Sequence, residues 1–448
     1  MPPVQKYPAK HVFPESRSTF FFIFAAGFKR PSLEDQTRPG DPYASFRLPE
    51  FRHYLVTRFT IVFALNMQST IIGWKIFELT KDPLSLGFIG LAELIPAFCL
   101  ALFAGNIVDK VEKRNTLLKC VLGYLLCGTS FLVFTSHYAQ GHLQIPTIVW
   151  MMYVTAFAGG IIRAFSSPST FTLLSLVVPR DLYTNATTWS SASWQSGAVL
   201  GPLAGGFLYA WSGATGVFAT VIFFHIIGGI ALLFIAPKQV FDKKKDQPAL
   251  QRLGEGVRFV FRTKEILAAL SLDMFAVLFG GAVALLPIFA DQILKVGAEG
   301  LGALRAAPAI GSCITLFLLA YVPLEKKAGI KLLVAVFFFG LSIIVFGLSN
   351  MFWLSWIALF LSGVFDGVSV VIRNTILQLK TPDDMRGRVS AVHTMFVGSS
   401  NEFGSFESGV TAKWMGTIPA VIFGGCMTLA VVITTWIISP RLRKLELK

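Results

Sequence analysis

Along this chain, apolar positions gather into long runs divided by short polar breaks. A helix needs about 20 mostly apolar residues to cross a bilayer's hydrocarbon core. Runs of that length are predicted at 54–77, 86–108, 115–136, 145–168, 186–210 and 215–236, and again at 266–290, 299–322, 330–349, 351–377, 388–412 and 416–438. The pattern therefore predicts an all-α membrane protein of about twelve transmembrane helices in two pseudo-symmetric six-helix bundles, 46–236 and 266–440. Residues 441–448 form a tail. The polar interval between the bundles, 237–265, carries Lys238, Lys243, Lys244 and Lys245 and then an amphipathic stretch at 250–261. A surface helix and a plain solvated linker fit that stretch equally well.

Composition narrows the class. Hydrophobic residues make up 54% and charged residues 14% of 448, whereas a soluble domain carries roughly a quarter charged. The net charge of +14 is explained by topology. Alternate loops hold the basic residues: Lys110, Lys113, Arg114 and Lys119; the Lys243 cluster; Lys326, Lys327 and Lys331; Lys380, Arg386 and Arg388; and in the tail Arg441, Arg443, Lys444 and Lys448. The opposing loops, such as 135–144 and 349–353, are nearly free of charge. Basic loops stay cytoplasmic, so both termini are expected in the cytoplasm of a cell whose plasma (inner) membrane holds the chain. Nucleic acid is not an expected partner, because no basic stripe with interleaved aromatics lies outside these loops. Residues 1–45 do not fit the pattern. Phe20–Phe28 is too short to span and no A-x-A cleavage site follows it. The segment reads as a disordered extension, with a later start of translation as the companion expectation.

Cys99, Cys120, Cys127, Cys313 and Cys426 all fall within apolar runs, with no CxxC pair and no nearby histidine cluster. They read as small packing residues rather than as a disulfide framework or metal site. His225 and His393 are isolated within spans. No G-x-x-x-x-G-K-[ST] or HExxH motif occurs, so neither ATP drive nor a metal enzyme is expected. No cofactor is expected.

The two halves repeat locally. Glu93-Leu-Ile-Pro96 in span 2 answers Arg305-Ala-Ala-Pro308 in span 8, the Pro179 turn after span 4 answers the Pro382 turn after span 10, and Gly201 falls opposite Gly404. Matched halves are the mark of a secondary transporter that holds substrate at the interface near the midplane. The loop after span 2, Gly105-Asn-Ile-Val-Asp109-Lys110-Val-Glu-Lys113-Arg114, resembles the G-x-x-x-D-R-x-x-R-R gating motif of the major facilitator superfamily, with Lys110 in place of Arg and Glu112 where Gly is common. Span 5 reads Gly197-x-x-x-Gly201-Pro202-x-x-Gly205-Gly206 and is similar to the antiporter motif of that superfamily's exporters. Two further phrases, Trp74 to Gly87 and Asp273 to Pro287, resemble its siderophore- and drug-exporting branch. The resemblance spans roughly 43–440. It implies a transporter rather than an enzyme, with a small-molecule substrate and proton coupling as expectations and a monomer as the usual state. Glycines four apart also permit close backbone approach, and Pro202 permits a bend.

A charge at bilayer depth costs at least about 2.5–3.5 kcal/mol, so such residues are functional suspects. Those within spans are Glu93, Arg163, Asp273, Arg305, Asp366, Glu402 and Glu407. By the repeat, Glu93 and Arg305 occupy matched positions, as do Arg163 and Asp366. These four are expected to line the central cavity or to pair across the interface; static ion pairs fixing helix register are the alternative. A carboxyl in an apolar span is the chemistry a proton carrier needs, with Glu93 or Asp366 foremost. Glu402 and Glu407, five apart, point to different faces. Asp273 is expected near the gate, with Asp109, Lys110, Lys113 and Arg114. Trp194 and Gln195 are cavity candidates, whereas Trp74 and Trp150 read as interfacial belt residues. Import of a small nutrient, and a non-transporting sensor or scaffold, are the rival functions.

Overall fold

The computed structural model describes residues 42–238, 249–319, 327–382 and 385–446. Lys243–Lys245, Lys326, Lys448 and nearly all of the N-terminal extension lie outside them. Ser45–Lys448 forms one compact unit.

The chain folds into α1 Pro49–Thr80, α2 Pro83–Lys110, α3 Lys113–Phe134, α4 Ile145–Val177, α5 Tyr183–Leu233, α6 Ala249–Arg262, α7 Lys264–Phe279, α8 Gly297–Leu319, α9 Ala328–Leu348, α10 Phe352–Lys380, α11 Arg386–Met415 and α12 Thr417–Ile438. Among the described residues, ten helical stretches are long and apolar enough to cross a membrane. One of these contains α5, whose 51 residues would be about 77 Å long if straight. Gly213 breaks it with φ 64°, a left-handed conformation that glycine adopts without strain, so α5 supplies spans 5 and 6. The thirty-residue α11 falls at the run predicted as span 11 but is not among these ten, because Glu402, Glu407 and Lys413 dilute its apolar character. Span 7 is α7 with a break at Gly280, continued by short helical turns to Ile293. The amphipathic stretch after the central loop is the helix α6. Span 4 runs nine residues past its expected end at 168, because Pro168 is accommodated inside α4.

Lipid tails are as apolar as the helices, so packing in a membrane rests on close van der Waals approach at small residues. These contacts repeat between the halves. A methyl on Gly201 of α5 would stand 2.7 Å from the Phe63 carbonyl of α1, and one on Gly404 of α11 would stand 2.8 Å from the Leu278 carbonyl of α7. Gly160 of α4 is seated against the backbone of Glu93 and the ring of Pro96 in α2, as Gly363 of α10 is seated against Pro308 of α8. Span 5 packs on span 1 as span 11 packs on span 7, and span 4 on span 2 as span 10 on span 8. The glycines of the span-5 motif divide their work. Gly197, Gly201 and Gly205 receive α1, while Gly206 receives Gly302 of α8. Pro202 is buried within α5, and its carbonyl would lie 2.5 Å from a methyl on Gly302.

This packing predicts a contrast measurable by thermal unfolding in detergent. Gly201→Ala should destabilise by about 1–3 kcal/mol through overpacking. Gly159→Ala, where nothing lies within 4 Å of the added carbon, should be neutral or up to about 1 kcal/mol stabilising through helix propensity.

Candidate substrate and coupling site

Four helices bring opposite charges together near mid-span. Arg163 of α4 directs its Nη1 at Glu402 of α11, 3.2 Å away, and at Glu93 of α2, 3.8 Å away. Arg305 of α8 lies within electrostatic reach of both carboxylates. Its Nη2 donates to Ser69 Oγ of α1 at 2.8 Å. Gln195 of α5 donates to the Ala309 carbonyl of α8 at 2.9 Å. Three of these polar contacts, Arg163–Glu402, Arg305–Ser69 and Gln195–Ala309, join the first six spans to the last six. The two acids and two bases balance. The Arg163 side chain remains 54% exposed, and its Nε and Nη2 have no hydrogen-bond partner among the described residues, so it can still receive a ligand oxygen.

The structure assembles three of the four residues paired by the repeat and adds Glu402. Asp366 stands apart. Its carboxylate has no hydrogen-bond or ion-pair partner among the described residues, and at 3.6 residues per turn it shares a face of α10 with Ser369 and Arg373. The repeat equated positions in the chain, but the charges that meet are set by which helices cross at mid-depth, and those are α2, α4, α8 and α11. Glu407 points away from the cluster, as its spacing from Glu402 requires. Trp194 is 47% exposed. Trp74, expected in an interfacial belt, is buried and meets Tyr209 edge-on, whereas Trp150 is exposed.

Asp273 has a partner that the sequence reading missed: Arg373 of α10 forms an ion pair with it, and both side chains are buried. Arg373 also donates to Ser369 Oγ at 3.3 Å. Arg373 lies within span 10 as drawn from the sequence, so a complete count of charges in the spans would have found it.

The loop after span 2 is built around Glu112, which stands where the family motif commonly has Gly. Glu112 caps α3, accepting from the Arg114 and Asn115 amides, and accepts from the Lys238 amide at 3.0 Å. Arg114 donates to the carbonyls of Leu232 and Leu233 that end α5. Lys238 Nζ reaches Glu50 of α1 at 2.5 Å. Lys113 is buried and donates to the Val111 carbonyl, and Lys110 is exposed. Nothing lies within 4 Å of a methyl built on Gly105. The side chain of Asp109 lies outside the description.

The opposite end carries a clasp. Lys81 pairs with Asp291 and Asp82 with Lys413, each at 2.9 Å, tying the α1–α2 turn to the ends of spans 7 and 11. Behind it, Glu78 accepts from Tyr209 at 2.6 Å and pairs with the buried Lys75. Lys75, Glu78, Lys81 and Asp82 all lie in the phrase from Trp74 to Gly87. Among the described residues no group of three or more His, Cys, Asp or Glu could hold a metal. Cys120 and Cys127 are buried, while Cys99, Cys313 and Cys426 are exposed, so the packing role fits only the first two.

Asp273→Ala or Arg373→Ala should each destabilise the protein by about 3–5 kcal/mol, because either leaves a buried charge unpaired. The double variant should be less destabilised than the sum of the two, as read from melting in a double-mutant cycle.

Comparison with known proteins follows the same lines. The Major Facilitator Superfamily model matches residues 54–405. Curated relatives include proteins named Enterobactin exporter EntS in Shigella flexneri and in Escherichia coli O1:K1, each 22% identical over 399 residues, covering 88% of this chain and 93% of theirs. Among solved structures, a POT family transporter in complex with 5-aminolevulinic acid aligns with TM-score 0.69 at 12% identity, covering 88% of this chain and 96% of its own. A bacterial homologue of the human lysosomal transporter Spinster, inward-facing and unoccupied, aligns with TM-score 0.60 at 15% identity, with the same coverage.

Proposed function

Because this chain belongs to the Major Facilitator Superfamily, we propose that it exports a small amphipathic molecule, siderophore-like or drug-like, across the inner membrane by alternating access, in exchange for protons. The observation that carries the reading is Arg163, held between a carboxylate of its own half and one of the other. While Glu402 is ionised, Arg163 bridges the halves at mid-depth. Protonation of Glu402 removes that bridge and, with it, the carboxylate that would accept from a hydroxyl, amide or ammonium of the substrate. A donor group of the substrate and a proton thus compete for one carboxylate, which is the requirement for exchange. Asp366, unpaired on α10, is a second residue able to carry a proton.

Export is supported by the antiporter-like glycine and proline pattern of span 5 and by relatives named as enterobactin exporters. With the basic loops cytoplasmic, the clasp lies at the external face and ties the two halves together there. The first six spans and the last six then rock about the central contacts, joined by the 237–265 linker. The clasp pairs are exposed, and such pairs contribute about 0.2–1 kcal/mol each, weak enough to break and reform in every cycle. Asp273 and Arg373 hold α7 to α10 as those helices move together, and Glu112, Lys113 and Arg114 brace the cytoplasmic end.

The direct test is substrate-driven proton flux in inverted membrane vesicles, with enterobactin and a panel of lipophilic compounds. Wild type should couple the two fluxes, and Glu402→Gln and Glu93→Gln should each reduce pH-gradient-driven transport at least ten-fold while substrate binding persists. Coupled transport retained in both variants and in Asp366→Asn would overturn the coupling assignment, and uptake in the opposite direction would replace export with import.

A second measurement addresses the clasp. Joining Lys81→Cys to Asp291→Cys with a reducible linker should arrest transport, and reduction should restore it. Undiminished transport in the linked protein would show that this end does not open.

A further inference from the structure

Away from the central charges, α11 turns a second face to a groove shared with α2 and α7 and bounded by Val257 of α6. The groove has a volume of about 780 Å³ and is walled by Phe98 of α2, Leu278 of α7 and Phe403, Phe406 and Trp414 of α11. Glu407 stands among them. Its carboxylate has no hydrogen-bond or ion-pair partner among the described residues. Five residues separate it from Glu402, about 140° around the helix, so the two carboxyls serve different spaces. Phe98, Phe403 and Trp414 are strongly exposed at 44%, 49% and 81%, on helices that cross the membrane. Rings this exposed leave the groove accessible from outside the helix bundle's packed interior.

A carboxylate facing hydrocarbon costs at least about 2.5–3.5 kcal/mol. Hydrocarbon chains alone would fill the groove without meeting Glu407. A cation on an apolar body meets both requirements, because its charge neutralises Glu407 and its body replaces lipid against the rings. Aromatic faces add attraction for a cation held within about 6 Å. The volume falls within the roughly 300–1,000 Å³ of small-molecule sites. We propose that this groove is a binding site for lipophilic monocations that arrive from the lipid phase, with Glu407 as the counter-charge and Phe403, Phe406 and Trp414 as the apolar wall. The site is separate from the central cluster, and its existence does not depend on the direction or coupling of transport.

The test is equilibrium binding of radiolabelled tetraphenylphosphonium to the full-length protein in nanodiscs of zwitterionic lipid, with empty nanodiscs as the measure of partition. Wild type should bind saturably with one site beyond partition. Glu407→Gln should weaken binding at least ten-fold, Glu407→Asp should recover part of it, and Trp414→Ala should weaken it several-fold. Glu402→Gln should leave this binding unchanged. Melting temperature and elution volume of each variant establish that it is folded. Partition alone in wild type would overturn the proposal, as would binding that Glu407→Gln leaves intact or that Glu402→Gln abolishes. An uncharged analogue that competes equally well would reduce the groove to a lipid-filled crevice.

Discussion

A backbone carbonyl seated in the notch left by a glycine is the contact on which this structure rests. In water, helices are driven together by burying apolar surface; in lipid that drive is absent, and attraction must come from close fit. Gly160 against Glu93, Gly201 against Phe63, Gly363 against Pro308 and Gly404 against Leu278 supply that fit at matched places in the two halves. Each brings two backbones nearer than any side chain would allow. The polar groups that the chain carries at mid-depth then come within reach of one another. Gly160 and Arg163 lie one turn apart on α4. The same notch that seats α4 on the backbone of Glu93 thereby sets the reach between Arg163 and the Glu93 carboxylate.

The charges fall into three levels with distinct physics. At the clasp, pairs are exposed and individually weak. At mid-depth, Arg163 is shared by two acids and left partly open, so its partners are exchangeable. Between Asp273 and Arg373 both side chains are buried, and such a pair is costly to break. A moving membrane protein needs all three: contacts that break on every cycle, contacts that change partner and contacts that never part.

Much of the architecture was legible in the sequence because run length, basic loops and glycine spacing are local signals with one physical meaning in a bilayer. The break at Gly213 falls between the runs drawn at 186–210 and 215–236, whereas the stretch left open between a surface helix and a linker folds as the helix Ala249–Arg262. The site was legible only in part. Glu93, Arg163 and Arg305 stood out because charge is expensive in an apolar run. Matching by repeat chose Asp366 as the fourth member, whereas the fold supplies Glu402, because helix crossings and not chain register decide which side chains meet. Pairs such as Lys81–Asp291 join residues 210 positions apart, and no spacing rule reaches that far. Glu112 shows the converse case. It stands where the family motif commonly has Gly, yet the carboxylate caps α3 and holds the amide of Lys238, work that glycine cannot do.

The contacts of Glu112 and Glu50 with the segment after α5 have a mechanical consequence. Ala236 and Lys238 are fastened to α1 and to the start of α3, so the connection to the second half leaves the first from a fixed anchorage and not from a frayed helix end. A pull on this connection is therefore borne by Glu50 and Glu112 and not by the last turn of α5. The end of the sixth span is bolted to the first and the third like a bracket, and a load applied there spreads over three helices.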